Sequence, residues 1–267
     1  MSKIWDCIVV GGGAAGLSAG LVLGRARRST LLIDAGQQSN RSAHGIGGLL
    51  GHDGRPPVEL YRLGRDELAS YGVQIRSGEV ADIESVDGEF VVRLLGGREE
   101  RTRRVLLATG MTYLPPDLPG LAQLWGRSVF HCPFCHGWEV RDLPLAVLAD
   151  GARAVHMALL LRCWSDDIVV LTNGSTELGA DDRTRLANAG VRVDERPVAA
   201  LDAYDGELSA VVFADGERLP RRGLLVATTL RQRDQLAERL GVAIAAPGSV
   251  AQDPVGVDQL TSFKYRV

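Results

Sequence analysis

Residues 4–34 place the strongest constraint on the fold. The apolar run Ile4-Trp5-Asp6-Cys7-Ile8-Val9-Val10 gives way to Gly11-Gly12-Gly13-Ala14-Ala15-Gly16, and an Ala/Leu-rich stretch continues to about Gly24. That order predicts a buried strand, a glycine turn and a helix; Thr30-Leu31-Leu32-Ile33-Asp34 then reads as a second strand. Strand, crossover helix and strand form a βαβ unit, the building block of a parallel, doubly wound sheet. In the G-x-G-x-x-G turn, Gly11 allows the sharp bend, Gly13 lets backbone N–H groups approach a pyrophosphate, and Gly16 lets the helix lie close to the strand. Asp34 ends the second strand, where a carboxylate can accept hydrogen bonds from an adenosine ribose. A tight turn with a coincidental acid is the plain alternative. The strand, helix and acid in sequence favour dinucleotide binding.

The rest of the chain repeats this plan. Residues 35–57 are rich in Gly, Ser, Asn and Pro and read as a long loop, either functional or disordered. Residues 58–71 look helical and 73–75 extended, and 78–95 with 98–108 alternate like a meander. Residues 112–126 hold Pro115, Pro116 and Pro119 and are read as a linker. Leu143–Gly151 opens a second βαβ unit, with a helix at about 153–163, a strand at Ile168–Thr172 and a second meander at about 191–228. Both halves close on an apolar strand running into Ala-Thr, at 106–110 and 224–229. The fold class is therefore α/β, with two βαβ units that are each followed by meander strands. The expected boundaries are 1–114, 115–243 and a return segment at 244–267.

Composition narrows the function classes. With 45% hydrophobic and 24% charged residues and a net charge of -3, nothing asks for nucleic acid or an anionic membrane. Aromatics at 5% are too few for base-stacking platforms. The N-terminal residues show no signal-peptide pattern and no apolar run has membrane-spanning length, so a cytoplasmic location is expected. In that compartment the chain's 4 cysteines are not a disulfide framework.

The chemistry is concentrated at His131-Cys132-Pro133-Phe134-Cys135-His136-Gly137. Cys132 and Cys135 can exchange a disulfide for a dithiol, a two-electron change, and a thiol at a helix start is stabilised as thiolate. A zinc site would be half complete, since no second ligand pair follows, and no metal ligand is assigned. Cys-x-x-Cys-His also matches the c-type haem attachment pattern, and two buried structural cysteines are the plain reading. His136 is a candidate acid–base group, or a turn residue with no proton role. Cys7 and Cys163 read as packing. The second nucleotide-like turn, Ala149-Asp150-Gly151-Ala152-Arg153-Ala154, is eroded: alanine replaces the first glycine and Asp150 stands where phosphate would approach. The strand after it carries neither a ribose-binding acid nor an arginine cluster for a 2′-phosphate.

With these motifs in order, the chain resembles the low-molecular-weight thioredoxin reductase-like flavoproteins, on GGGAAGLSAG (11–20), LATG (107–110) and CPFCHGWE (132–139). The resemblance implies two Rossmann-like nucleotide-binding domains of the three-layer ββα type, the second inserted in the first, and an FAD-dependent thiol–disulfide oxidoreductase, with NADPH as the family's further cofactor. It implies that Cys135 faces the flavin, that Cys132 exchanges with substrate and that His136 shuttles a proton. Gly11, Gly13, Gly16, Asp34, Asn40, Thr109 and Gly110 would line FAD, with Ala14 and Val80 completing the candidate set. A thioredoxin-like protein or a small-molecule dithiol or disulfide is the implied partner, and a homodimer the implied assembly. His136 stands where thioredoxin reductases commonly carry Asp, and Cys-x-x-Cys-His-Gly is more similar to the dithiol oxidase branch. The family's Ala-Gly-Asp segment is not matched by AQDPVGVDQLTSFKYRV (251–267). A shortened, non-catalytic remnant that binds nucleotide weakly or only a partner is thus the alternative expectation, with a c-type haem protein behind it.

Overall fold

The computed structural model describes residues 3–242. The return segment expected at 244–267 and the residues 251–267 that depart from the family pattern lie outside the described residues. The chain divides into two compact units. The first takes in the chain up to Arg41, Pro57–Tyr113 and the stretch from Thr229 onward; the second takes in Ser42–Pro56 and Leu114–Thr228.

In the first unit the βαβ expectation holds. Cys7–Val10, Thr30–Asp34, Gln74–Ser77 and Val105–Leu107 make a four-stranded sheet with Cys7–Val10 between Thr30–Asp34 and Val105–Leu107, every pairing parallel. The side chains alternate across it. Ile8, Val10, Leu31 and Ile33 pack against Val80, Ile83, Val92 and Leu94 of an antiparallel meander. Cys7, Val9 and Leu32 face Leu17, Tyr61 and Leu68 of helices Ala14–Arg25 and Pro57–Ser70. Period-two alternation in a strand covered on both sides produces this meander–sheet–helix sandwich. Each fully buried Leu or Ile contributes roughly 1.5–3 kcal/mol.

The second unit repeats the plan. Leu145–Leu148 lies between Gly223–Val226 and Ile168–Leu171 in a parallel five-stranded sheet. Leu145 and Val147 pack on Val155, Ala158 and Leu161 of helix Gly151–Leu161, while Ala146 and Leu148 pack on Leu201, Leu208, Val211 and Phe213 of the meander. The two Ala-Thr strands occupy equivalent places: Val105–Leu107 beside Cys7–Val10, and Gly223–Val226 beside Leu145–Leu148.

The structure corrects several boundaries. The run 4–10 is two strands. Ile4–Trp5 pairs with Arg101 and Thr102 in the meander, and the chain changes sheet at Asp6, whose carboxylate accepts from the Ser29 backbone N–H and hydroxyl. Residues 98–108 likewise divide, with Thr102 Oγ1 donating to the Trp5 and Arg104 carbonyls at the switch. Arg192–Asp194, read as meander, belongs to the second parallel sheet, and helix Ala180–Asn188 was not anticipated. The linker region contains strand Met111–Leu114, which pairs with Thr229–Gln232, so the chain leaves the second unit earlier than expected from sequence. Residues 42–56 pack with the second unit because their glycines meet its backbone: a Cβ on Gly47 would lie 2.7 Å from the Cys135 carbonyl oxygen.

Candidate functional site

In the first unit the glycine turn is built by close approach. Gly11 has φ +107°, and a Cβ there would lie 2.3 Å from the Ala108 carbonyl oxygen. A Cβ on Gly16 would lie 1.8 Å from the Gly11 carbonyl oxygen, so only glycine lets the helix start so near the turn. Gly13 faces open space, with Gln38 Cγ at 4.0 Å its nearest neighbour. It is also the N-cap of helix Ala14–Arg25 and makes no side-chain cap, which leaves first-turn N–H groups for an anion.

These residues open onto a cavity of about 510 Å³, a size usual for cofactor sites. Gly11, Gly13, Ala14, Asp34, Asn40, Val80, Thr109 and Gly110 all line it. Gly16 does not; its part is packing. Asp34 Oδ1 accepts from the Gly12 and Gly36 N–H groups at 3.1 and 3.0 Å, which aims the carboxylate at the turn. A cavity with glycines and an acid in its wall fits a dinucleotide.

Three lining residues were not found by sequence reasoning. The Gln38 side-chain amide reaches both Asp34 oxygens at 3.1 Å. The buried Tyr61 hydroxyl donates to Asn40 Oδ1 at 2.5 Å, and burial, with the nearby Asp34 charge, outweighs that bond and raises its pKa. Arg233, from the far end of the described chain, donates to the Gln37 carbonyl. Gln38 carried only the signal of lying in a long loop, and Tyr61 the signal of an apolar position on an amphipathic helix.

In the second unit, Cys132 precedes a single helical turn, Pro133–His136. The Cys135 N–H donates to the Cys132 carbonyl at 3.3 Å, and the two Sγ atoms stand 3.0 Å apart as a dithiol. The Cys135 thiol donates to Cys132, and with the Cys135 and Phe134 N–H groups this pulls Cys132 down to about 6, against the opposing effect of burial. Cys135 moves the other way, far above the ordinary thiol range, through the same bond, burial and the charges of Cys132 and Glu139.

His136 Nε2 donates to the Gly126 carbonyl at 3.1 Å and its ring stacks on Phe130. Its Nδ1 is buried with no hydrogen-bond partner among the described residues. Burial holds the imidazole below its ordinary pKa, against the opposing effects of the Gly126 and Cys132 backbone and the Glu139 charge. His131 stacks on Trp125 and is pushed to about 4, chiefly by burial and then by His136. Cys135 and His136 line a cavity of about 310 Å³ with His44, Arg127, Glu139 and Arg222. The three expected catalytic residues are thus neighbours. Cys7 is buried and pushed up to about 11 by desolvation, whereas Cys163, expected as packing, is exposed.

The second glycine turn does not fit a dinucleotide. Gly151 has φ +50° and a Cβ there would lie 3.1 Å from Glu177 Oε2, so a carboxylate overhangs the turn that Asp150 already flanks. Two acids at the helix N-terminus oppose a pyrophosphate. Among the described residues no group of His, Cys, Asp and Glu is placed to hold a metal ion, and no helix is long and apolar enough to cross a membrane.

Comparison with known proteins agrees with this architecture. The family described as pyridine nucleotide-disulphide oxidoreductase matches residues 5–259. Thioredoxin reductase tcpT of Claviceps purpurea is 30% identical over 260 residues, covering 93% of this chain and 81% of that protein. Thioredoxin reductase aclD of Aspergillus oryzae is 31% identical over 266 residues, covering 95% and 84%. Among solved structures, HlmI superposes with a TM-score of 0.87 at 41% identity, over 97% of this chain and 83% of that one. An oxidoreductase from Agrobacterium tumefaciens gives 0.87 at 37% identity, over 96% and 87%. The family is one of flavin-dependent oxidoreductases, and its two Rossmann-like units are the two units found here. With its strand–turn–helix entry, its glycine-lined cavity and its paired thiols, this chain belongs to the pyridine nucleotide-disulphide oxidoreductase family, in the thioredoxin reductase-like class.

Proposed function

We propose that this chain is an FAD-dependent thiol–disulfide oxidoreductase that moves two electrons between a dithiol or disulfide substrate and the Cys132–Cys135 pair. The observation that carries the reading is the pair of sulfurs 3.0 Å apart at the start of a helical turn, where the Cys135 thiol donates to Cys132 and lowers its pKa. FAD, when bound in the first-unit cavity, supplies the two-electron reservoir. Gly11, Gly13 and Ala14 would hold its pyrophosphate, Asp34 its ribose, and Asn40, Val80, Thr109 and Gly110 the remainder.

In the oxidative direction a substrate thiolate attacks Cys132 of the disulfide, forming a mixed disulfide and expelling Cys135 as the leaving thiolate. Cys135 takes up a proton. The second substrate thiol then attacks its own sulfur partner and expels Cys132, a good leaving group because its thiolate is stable at pH 7. The substrate leaves as a disulfide, and its two electrons sit on the cysteine pair for transfer to the flavin. His136 Nδ1 accepts or returns the proton. The reductive direction reverses each step, with Cys132 as the attacking thiolate.

Asp150 and Glu177 favour an electron partner other than NADPH, and no step is routed through NADPH. A small-molecule dithiol or a thioredoxin-like protein would meet Cys132, in a homodimer. Purified protein should be yellow, and anaerobic addition of a dithiol should bleach it. Cys135→Ser should abolish the bleaching. Protein that is colourless and takes up no added FAD would sink the proposal.

A further inference from the structure

Asp34 is the residue that should grip the adenosine ribose, yet most of its acceptor sites are taken. Oδ1 receives the Gly12 and Gly36 N–H groups, and Gln38 Nε2 lies 3.1 Å from Oδ1 and 3.1 Å from Oδ2. The same Nε2 also donates to the Gly12 carbonyl at 3.3 Å. A ribose diol offers hydroxyl donors to the same carboxylate edge, and both sets of donors cannot be satisfied there at once. Gln38 lines the 510 Å³ cavity and also a second cavity of about 380 Å³, bordered by Arg41, Val58 and Arg65, which Asp34 shares. A displaced amide therefore has room to move into.

We propose that Gln38 is a tethered stand-in for the ribose diol, and that it tunes which flavin nucleotide the first unit prefers. Resting on the FAD reading above, the inference makes the amide–carboxylate contact a competitor that every adenosine-bearing ligand must displace. FMN has no adenosine and does not reach Asp34, so its binding is indifferent to Gln38. The contact sets the margin by which FAD is preferred.

The test uses the full chain freed of bound nucleotide by dialysis, titrated with FAD and separately with FMN by fluorescence. Gln38→Ala removes the amide, and Gln38→Asn keeps an amide that falls one methylene short of Asp34. Both variants should bind FAD about three- to ten-fold more tightly than the wild type, the worth of one displaced hydrogen bond. FMN affinity should not change. A melting curve of each nucleotide-free variant checks that the fold is intact. Unchanged or weaker FAD binding in folded variants overturns the inference while leaving the FAD reading standing, as does an equal gain for FMN. Wild-type protein that binds no FAD overturns both.

Discussion

Cys132 and Cys135 stand 3.0 Å apart, and their contact pulls the pKa of the first thiol down while pushing that of the second up. The pair is therefore polarised before any substrate arrives. Cys132 is ready to attack or leave, and Cys135 to hold a proton.

Alkylation reads that polarity. In the reduced protein, iodoacetamide should label Cys132 with a midpoint near pH 6. In Cys135→Ala the midpoint should move up toward the ordinary thiol value of about 8.5, because the bond from Cys135 is the largest cause of the shift. The same depression makes this thiol favour the folded state above its unfolded value, a gain lost as pH falls toward 6. An unchanged midpoint in the variant would show that the backbone N–H groups suffice.

Burial of His131 gives a second pH signature. Its folded pKa of about 4 lies below the ordinary 6.5, so the folded state binds fewer protons between those values. Stability is whole above pH 6.5 and falls as pH drops toward 4, by on the order of 2 kcal/mol after partial screening. Denaturant melts across this range should show the loss, and His131→Phe should flatten it. A variant with the wild-type slope would place the sensitivity elsewhere, first at His136, whose pKa is also lowered by burial.

Gly16→Ala should damage the turn without touching the cavity wall. Its new Cβ would lie 1.8 Å from the Gly11 carbonyl oxygen, so the helix must retreat. A loss of about 1–3 kcal/mol in folding stability is expected, together with weaker FAD binding. Gly13→Ala points a methyl into open space and should spare stability while weakening FAD. Measuring melting temperature and FAD affinity for both separates the packing glycine from the ligand-facing one.

Tyr61→Phe deletes one hydroxyl from a buried ring. Asn40 Oδ1 loses its donor at 2.5 Å, and the amide is no longer held at the cavity wall. Stability should drop by about 1 kcal/mol, with weaker FAD binding. Asn40→Ala in the Tyr61→Phe background should cost less than in the wild type. Additive losses would mean that the two side chains act independently.

Much of the fold was legible because it is written in local patterns. Ile8 and Val10 alternate with Cys7 and Val9, glycines cluster at Gly11–Gly16, and the helical turn that opens on Pro133 after Cys132 announces itself over a few residues. The strand breaks at Asp6 and at Thr102 were not legible, since they depend on Ser29 and on the Trp5 carbonyl, partners distant in the chain. Helix Ala180–Asn188 was missed because its sequence, ADDRTRLAN, is mostly polar and buries only Leu186.

The division between sequence and tertiary structure follows the range of the forces involved. Sequence alone determined the two βαβ units, the glycine turn with its acid, and the two thiols with a histidine beside them, because backbone conformation and side-chain periodicity are set by near neighbours. Only the tertiary structure decided how those groups are tuned. Gly126 selects the His136 tautomer, Tyr61 holds Asn40, Gln38 covers Asp34, and Glu177 overhangs Gly151. Acidity, donor satisfaction and cavity shape depend on atoms brought within a few ångströms by folding, from segments that sequence separation keeps apart.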